Sequence, residues 1–298
     1  MGCFLDFLTQ LEYDGKWVKG AIADAINLKK RPTRYRKALD GKVLSMLFMK
    51  PSTRTRVSFE AGMAQLGGHA IYLDWRTTNF IKGSLKDEVK CIDRYSDIIM
   101  ARVFHHQEIV DIADAAEVPV INGLCDLYHP CQALADLMTA YERLRTYRFK
   151  LAYVGDGNNV CNSLIIGCVK VGAEIAVATP KGFEPARDIV EYAQEHGSVE
   201  LTNDPRTAVT DADVVYTDAW IGMGQEEEKE MRVRAFTGYA VTKELLGDAY
   251  FMHCLPALRG YEVTDEVLDS PNSAVYDEAE NRMHAQKALI MRLLGVKV

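Results

Sequence analysis

The chain has little that would tie it to the cell exterior, to a membrane or to nucleic acid. Its seven cysteines, at positions 3, 91, 125, 131, 161, 168 and 254, include no Cys-x-x-Cys pair. An odd number without paired spacing points to a reducing compartment, with the cytoplasm as the expected location, and away from a disulfide framework. No apolar run approaches the roughly 20 residues that a bilayer-spanning helix needs. Met1-Gly2-Cys3-Phe4 lacks a charged segment ahead of an apolar stretch, so no signal peptide is expected. There is no excess of positive charge either. Asp and Glu number 42 against 35 Lys and Arg, a net charge of −7, which argues against general nucleic-acid binding. What remains is a water-soluble composition, 48% hydrophobic and 26% charged, in 298 residues. That length fits two domains of about 150 residues each.

Hydrophobic patterning supplies an alternation of strands and helices. Helical spacing covers residues 4–38, closing at Lys29-Lys30-Arg31-Pro32. Apolar runs mark strands at 43–49, 70–73, 98–104 and 118–122, with helices between them and a polar loop at 74–84. A helix opens at 129 and runs to about Arg143, and the basic segment 143–150 makes a domain boundary. Strands at 150–154, 174–178, 199–201, 213–217 and 250–252 follow, again separated by helical stretches. A final helix covers about 277–294. Such alternation predicts α/β architecture, two domains each with a mainly parallel sheet flanked by helices.

Polar residues collect where these strands end. Ser52-Thr53-Arg54-Thr55-Arg56 puts three hydroxyls and two guanidiniums between the strand at 43–49 and a helix. Helix starts expose unpaired N–H groups and favour anions, and arginine matches phosphate oxygens with a planar fork. Two readings stand here, a phosphate cradle and an ordinary N-cap beside solvated arginines. Arg102 lies near the carboxyl end of its strand, where ligands gather in open parallel sheets. His129-Pro130-Cys131-Gln132 places an imidazole and an amide at a helix head, as ligand donors or as a capping turn. Asp218 ends a strand in the same way. At His253-Cys254-Leu255-Pro256 a nucleophile pair or half a metal site is conceivable in composition. Neighbouring strand residues face opposite ways, however, and no second ligand pair accompanies them. Gly155-Asp156-Gly157 resembles the start of a dinucleotide fingerprint, but position 160 is Val160 and no acid follows the strand at 174–178. A tight strand-to-helix turn explains those glycines better.

Taken together and in order, these motifs resemble the aspartate/ornithine carbamoyltransferase family across nearly the whole chain. Ser52–Arg56 is similar to the family's carbamoyl-phosphate loop, and His129–Gln132 to its His-Pro-x-Gln motif. His253-Cys254-Leu255-Pro256, Asn158-Asn159, Asp218 with Met223-Gly224, and Glu280-Asn281-Arg282 resemble the ornithine branch. The resemblance implies a carbamoyl-phosphate-binding domain at 1–143, joined by the C-terminal helix 277–298 crossing back, and an ornithine-binding domain at 150–276. It implies carbamoyl transfer to the δ-amine of ornithine, giving citrulline, with carbamoyl phosphate and ornithine as partners, a homotrimer or a multiple of trimers, no metal and no cofactor. Implied catalytic residues are Arg54, Arg102, His129 and Cys254. Carbamoyl phosphate would be held by Ser52, Thr53, Arg54, Thr55, Arg56, Arg102, His129, Pro130, Cys131, Gln132, Cys254, Leu255 and Arg282. Ornithine would be held by Asn159, Asp218, Gly222 and Met223.

Two departures from the family pattern matter. The ornithine branch usually carries Ser-Met-Gly where this chain has Gly222-Met223-Gly224. That leaves putrescine or a modified ornithine as the alternative acceptor. The family's Gln-x-Gly-x-Gly-Glu loop, which reaches a neighbouring subunit, is here the shorter Asn79-Phe80-Ile81-Lys82-Gly83-Ser84. Either Asn79 or Lys82 replaces its glutamine.

Overall fold

A computed structural model of the chain describes residues 6–222 and 226–298, the side chain of Glu226 excepted. It divides into two compact units, Met1–Met138 with Asn281–Val298, and Thr139–Glu280.

In the first unit, α1 (Gly15–Lys30) is started by Asp14, whose carboxylate accepts the Trp17 N–H at 2.7 Å. It buries Val18, Ala21, Ile22 and Ala25. The expected helical stretch over 4–38 is broken at Arg31 (φ −131°, ψ 55°), because a residue before proline is pushed out of the helical region. Next come β1 (Val43–Phe48), α2 (Thr53–Gln65), β2 (His69–Asp74), α3 (Leu85–Asp93), β3 (Ile98–Arg102), α4 (His106–Ala115), β4 (Val120–Leu124) and α5 (Pro130–Leu144). The 74–84 loop contains two short 3-10 turns, pinned by Trp75 stacked on Phe80 with ring centres 4.5 Å apart. The four strands are parallel in the order β2-β1-β3-β4. Strand order therefore reverses at β1/β3, where Phe48 lies opposite Arg102. Loops leaving the two carboxyl ends diverge there and open a crevice.

The C-terminal helix α12 (Val275–Leu293) returns to this unit, as expected. Asn281 accepts from Lys29 Nζ at 2.7 Å, Lys287 Nζ donates to Gln65 at 2.9 Å, and Arg292 Nε donates to Asp24 at 2.6 Å. These bonds fix the helix by side chains spread over three turns of its length.

The second unit holds β5 (Lys150–Val154), α6 (Asn159–Val171), β6 (Glu174–Ala178), α7 (Arg187–His196), β7 (Val199–Thr202), α8 (Pro205–Val209) and β8 (Val214–Tyr216). The short helices α9 (Lys229–Ala235) and α10 (Lys243–Leu246), β9 (Tyr250–Met252) and α11 (Asp265–Leu268) complete it. All strands are again parallel, in the order β7-β6-β5-β8-β9, reversing at β5/β8. Ala152, Val154, Val215, Phe251, Trp220 and Phe236 form its core. Each sheet thus opens its crevice beside one of the polar clusters.

Candidate active site

In the first unit the site grows from the end of β1. The buried run stops at Phe48, and Ser52, extended at φ −162°, caps α2 by accepting the Thr55 N–H at 3.3 Å. Its hydroxyl also contacts Thr55 Oγ1 at 3.1 Å. Capping and anion binding are compatible here, since only one N–H of the first turn is taken by the cap. Thr55 is buried, whereas Thr53 and Arg54 are exposed.

Arg282, delivered by α12, binds this cluster from another direction. Nη2 donates to Thr55 Oγ1 at 3.0 Å and Nη1 to Gln132 Oε1. Gln132 can accept there because its amide nitrogen is committed to Asp136, at 2.7 Å. Arg282 is 5% exposed, and its hydrogen bonds go to neutral groups. Its charge is therefore available to a guest. His129, 5% exposed at the head of α5, has its pKa driven well below 6.5 by burial and then by Arg282, Arg102 and Arg54. It is neutral at pH 7, so it offers hydrogen bonding without a fourth full charge. Lys50 is also lowered, by burial and the nearby Arg102. Arg54, Arg102, His129 and Arg282, far apart in sequence, lie in one electrostatic neighbourhood that favours an anion.

Not every predicted residue joins it. Arg56 instead donates to Glu60 at 2.9 Å and lies over the Tyr72 ring at 3.9 Å. Cys131 is buried with its thiol 3.5 Å from the Asn122 carbonyl, and burial pushes its pKa up to about 12. Pro130 contributes its carbonyl to Gln10, at 3.1 Å.

In the second unit, Asp218 follows β8 and is gripped on both oxygens. Oδ2 accepts from Asn158 Nδ2 at 2.8 Å, and Oδ1 from Cys254 Sγ at 3.1 Å and the Ala219 N–H at 2.8 Å. Asn158 also caps α6, accepting the Val160 and Cys161 N–H groups. Of the Asn158-Asn159 motif, only Asn159, the first residue of α6, was assigned to ornithine from the sequence, and no separate role was given to Asn158. Its signal was present, because asparagine just before an apolar helical run is a strong N-cap. Gly222 is half-buried at the end of the described segment, and Met223 lies outside the described residues.

Two further features hold this half in place. A Cβ on Gly157 would sit 2.2 Å from the Pro185 backbone nitrogen, so the turn packs where only glycine fits, and Gly157 N–H donates to Phe183 at 2.8 Å. That accounts for the glycine as part of a tight turn. Arg232, 6% exposed, donates to Asp156 at 2.8 Å, the Trp220 carbonyl at 3.0 Å and Glu228 at 2.8 Å. It bolts the loop after β8 to the turn after β5.

Asp218, His253 and Cys254 bring donor atoms within 4.8 Å of one another. His253 Nδ1, however, accepts the Leu255 N–H at 2.8 Å, and Nε2 faces Glu262 at 3.3 Å. An imidazole engaged at both nitrogens has no lone pair left for a metal. Leu255 has φ +58°, in the left-handed region.

The chain matches two family models. Residues 6–142 match the aspartate/ornithine carbamoyltransferase carbamoyl-P binding domain, and residues 148–293 the Asp/Orn binding domain. It is 54% identical over 268 residues to an ornithine carbamoyltransferase of Pyrococcus horikoshii, covering 86% of this chain and 84% of that one. An anabolic ornithine carbamoyltransferase of Pyrococcus furiosus is 48% identical, with 97% and 96% covered. The solved structure of ornithine carbamoyltransferase from Pyrococcus furiosus superposes with a TM-score of 0.94, at 48% identity, covering 99% of this chain and 98% of that one.

Proposed function

Because the chain belongs to the aspartate/ornithine carbamoyltransferase family, we propose that it transfers the carbamoyl group of carbamoyl phosphate to the δ-amine of L-ornithine, giving L-citrulline and phosphate. The free amine attacks the carbonyl carbon. A C–N bond forms, the bond from that carbon to the bridging phosphate oxygen breaks, and the amine gives up a proton. Negative charge grows on the carbonyl oxygen and on the departing phosphate, so fixed donors at those two places contribute most to rate.

In this reading Ser52, Thr53, Arg54, Thr55 and Arg282 hold the phosphate. Arg102, His129 and Thr55 stabilise the carbonyl oxygen, and Gln132 takes the carbamoyl nitrogen. Asp218 and Cys254 receive the amine, with Asn158, Asn159, Gly222 and Met223 orienting the rest of ornithine. Domain roles follow: residues 1–143 with the C-terminal helix take carbamoyl phosphate, and residues 150–276 take ornithine. The reaction calls for no metal or cofactor, since the leaving group is built into the donor. A cytoplasmic homotrimer, with Asn79 or Lys82 reaching a neighbouring subunit, completes the proposal. Among the described residues no helix is long and apolar enough to cross a membrane.

The observation that supports this most is the placing of a neutral, buried His129 among Arg54, Arg102 and Arg282. An arrangement of cations around one uncharged donor suits an acyl phosphate, which is anionic at one end and neutral at the other. The test is an assay with labelled carbamoyl phosphate and a panel of amines. Citrulline is the expected product. Gly222 keeps putrescine as the second reading, and a wide preference for putrescine over ornithine would overturn the first.

A further inference from the structure

The loop carrying Cys254 and Leu255 is held by a buried pair that the reaction does not consume. His253 and Glu262 are both completely enclosed. His253 Nδ1 accepts the Leu255 N–H at 2.8 Å, so the ring proton sits on Nε2, which faces Glu262 Oε1 at 3.3 Å. The same carboxylate oxygen accepts the Leu258 N–H. Glu262 Oε2 has no hydrogen-bond partner among the described atoms.

Enclosing a carboxylate with one oxygen unmatched is costly, so closing the loop does not by itself explain it. What it does explain is the tautomer. The hydrogen bond at one imidazole nitrogen sets where the proton sits, and here an acceptor at Nε2 leaves Nδ1 as a lone pair. With the proton on Nδ1 instead, two N–H groups would oppose each other across 2.8 Å. Leu255 would then lose the bond holding it in a left-handed backbone conformation that a branched side chain avoids. Cys254, between the two, has its thiol 3.1 Å from Asp218. The start of the loop has its own anchor, because the His253 N–H donates to buried Glu278 at 2.9 Å.

We propose that Glu262 is a positioning residue for the acceptor amine: by fixing His253 as its Nε2–H tautomer, it locks Leu255 and aims Cys254 at Asp218. This rests on the reading that the second unit takes ornithine.

Glu262→Leu removes the acceptor, whereas Glu262→Gln keeps an oxygen able to serve both donors. Loss of one buried hydrogen bond corresponds to about tenfold in affinity. The leucine variant is therefore expected to raise the KM for ornithine about tenfold and leave that for carbamoyl phosphate within about twofold. The glutamine variant is expected close to the parent. An unchanged ornithine KM in the leucine variant, or equal rises in both KM values, overturns the proposal. Nitrogen NMR of His253 in the unaltered protein gives a second test, free of folding defects and of substrate. A protonated Nε2 with a bare Nδ1 is expected, and the opposite tautomer or a doubly protonated ring overturns it. Should the unaltered enzyme fail to carbamoylate ornithine, the functional reading falls and the role toward the amine with it, while the NMR measurement still decides whether Glu262 sets the His253 tautomer.

Discussion

His129 shows how one residue's setting turns a weak motif into chemistry. A histidine before a proline at a helix start is ordinarily a turn. Here burial and three guanidiniums keep it uncharged. The unfolded chain would bind a proton on this ring near 6.5, and the folded chain does not until well below that. In that window the unfolded state holds more protons, so stability rises with pH and falls away as pH drops below about 6.5. His106, also lowered by burial, adds to the same trend. Melting temperature is therefore expected to fall between pH 7 and pH 5 more steeply in the parent than in His129→Gln. Equal slopes would mean that the ring titrates normally. Chemistry at this scale was partly legible: Arg54, Arg102 and His129 stand out as polar residues at strand and helix ends, whereas Arg282, inside α12, was singled out only by the family resemblance. The fate of Arg56 was not, because Glu60 and Tyr72 claim it through helical and cross-element neighbours that a five-residue motif does not display. Cys131 was named only for its place in a motif, and burial gives it to the core.

At the scale of elements, the turn from β5 into α6 does two jobs. It caps the helix through Asn158 and presents the same side chain to Asp218. Both depend on the close passage of Gly157 over the 183–185 backbone. The atoms a Cβ would meet are main chain, so the turn has to move. Gly157→Ala is expected to destabilise the protein by about 3 kcal/mol, the upper range for overpacking, and to weaken ornithine binding as Asn158 shifts. Urea unfolding with an ornithine titration checks both, and an unchanged midpoint would show that the turn has slack. Strands such as β1, β3 and β5 were visible in sequence because parallel strands buried on both faces read as continuous apolar runs. The short α10 and α11 were not, since four residues cannot display a helical period. Nor was the Arg232–Asp156 bridge, whose partners stand 76 positions apart.

For the molecule as a whole, net charge and local charge have opposite signs. A surplus of seven negative charges repels anions at long range, yet Arg54, Arg102 and Arg282 gather around one point. Steering thus works against a phosphate ligand, and affinity has to come from short-range fixed donors that dilute salt screens poorly. A ligand that binds only the folded chain stabilises it by mass action, about 2.7 kcal/mol at a hundred times its Kd. Inorganic phosphate, as the leaving group, is expected to raise the melting temperature by several degrees at such concentrations, and sodium chloride at equal ionic strength by much less. Arg54→Ala and Arg282→Gln should each abolish most of that shift without lowering the ligand-free melting temperature to the same degree. Arg54 is exposed and Arg282 is buried between Thr55 and Gln132, so the second variant carries the larger structural cost of the two. A phosphate shift that survives in both variants would place the anion elsewhere on the chain and detach the cationic cluster from the chemistry assigned to it.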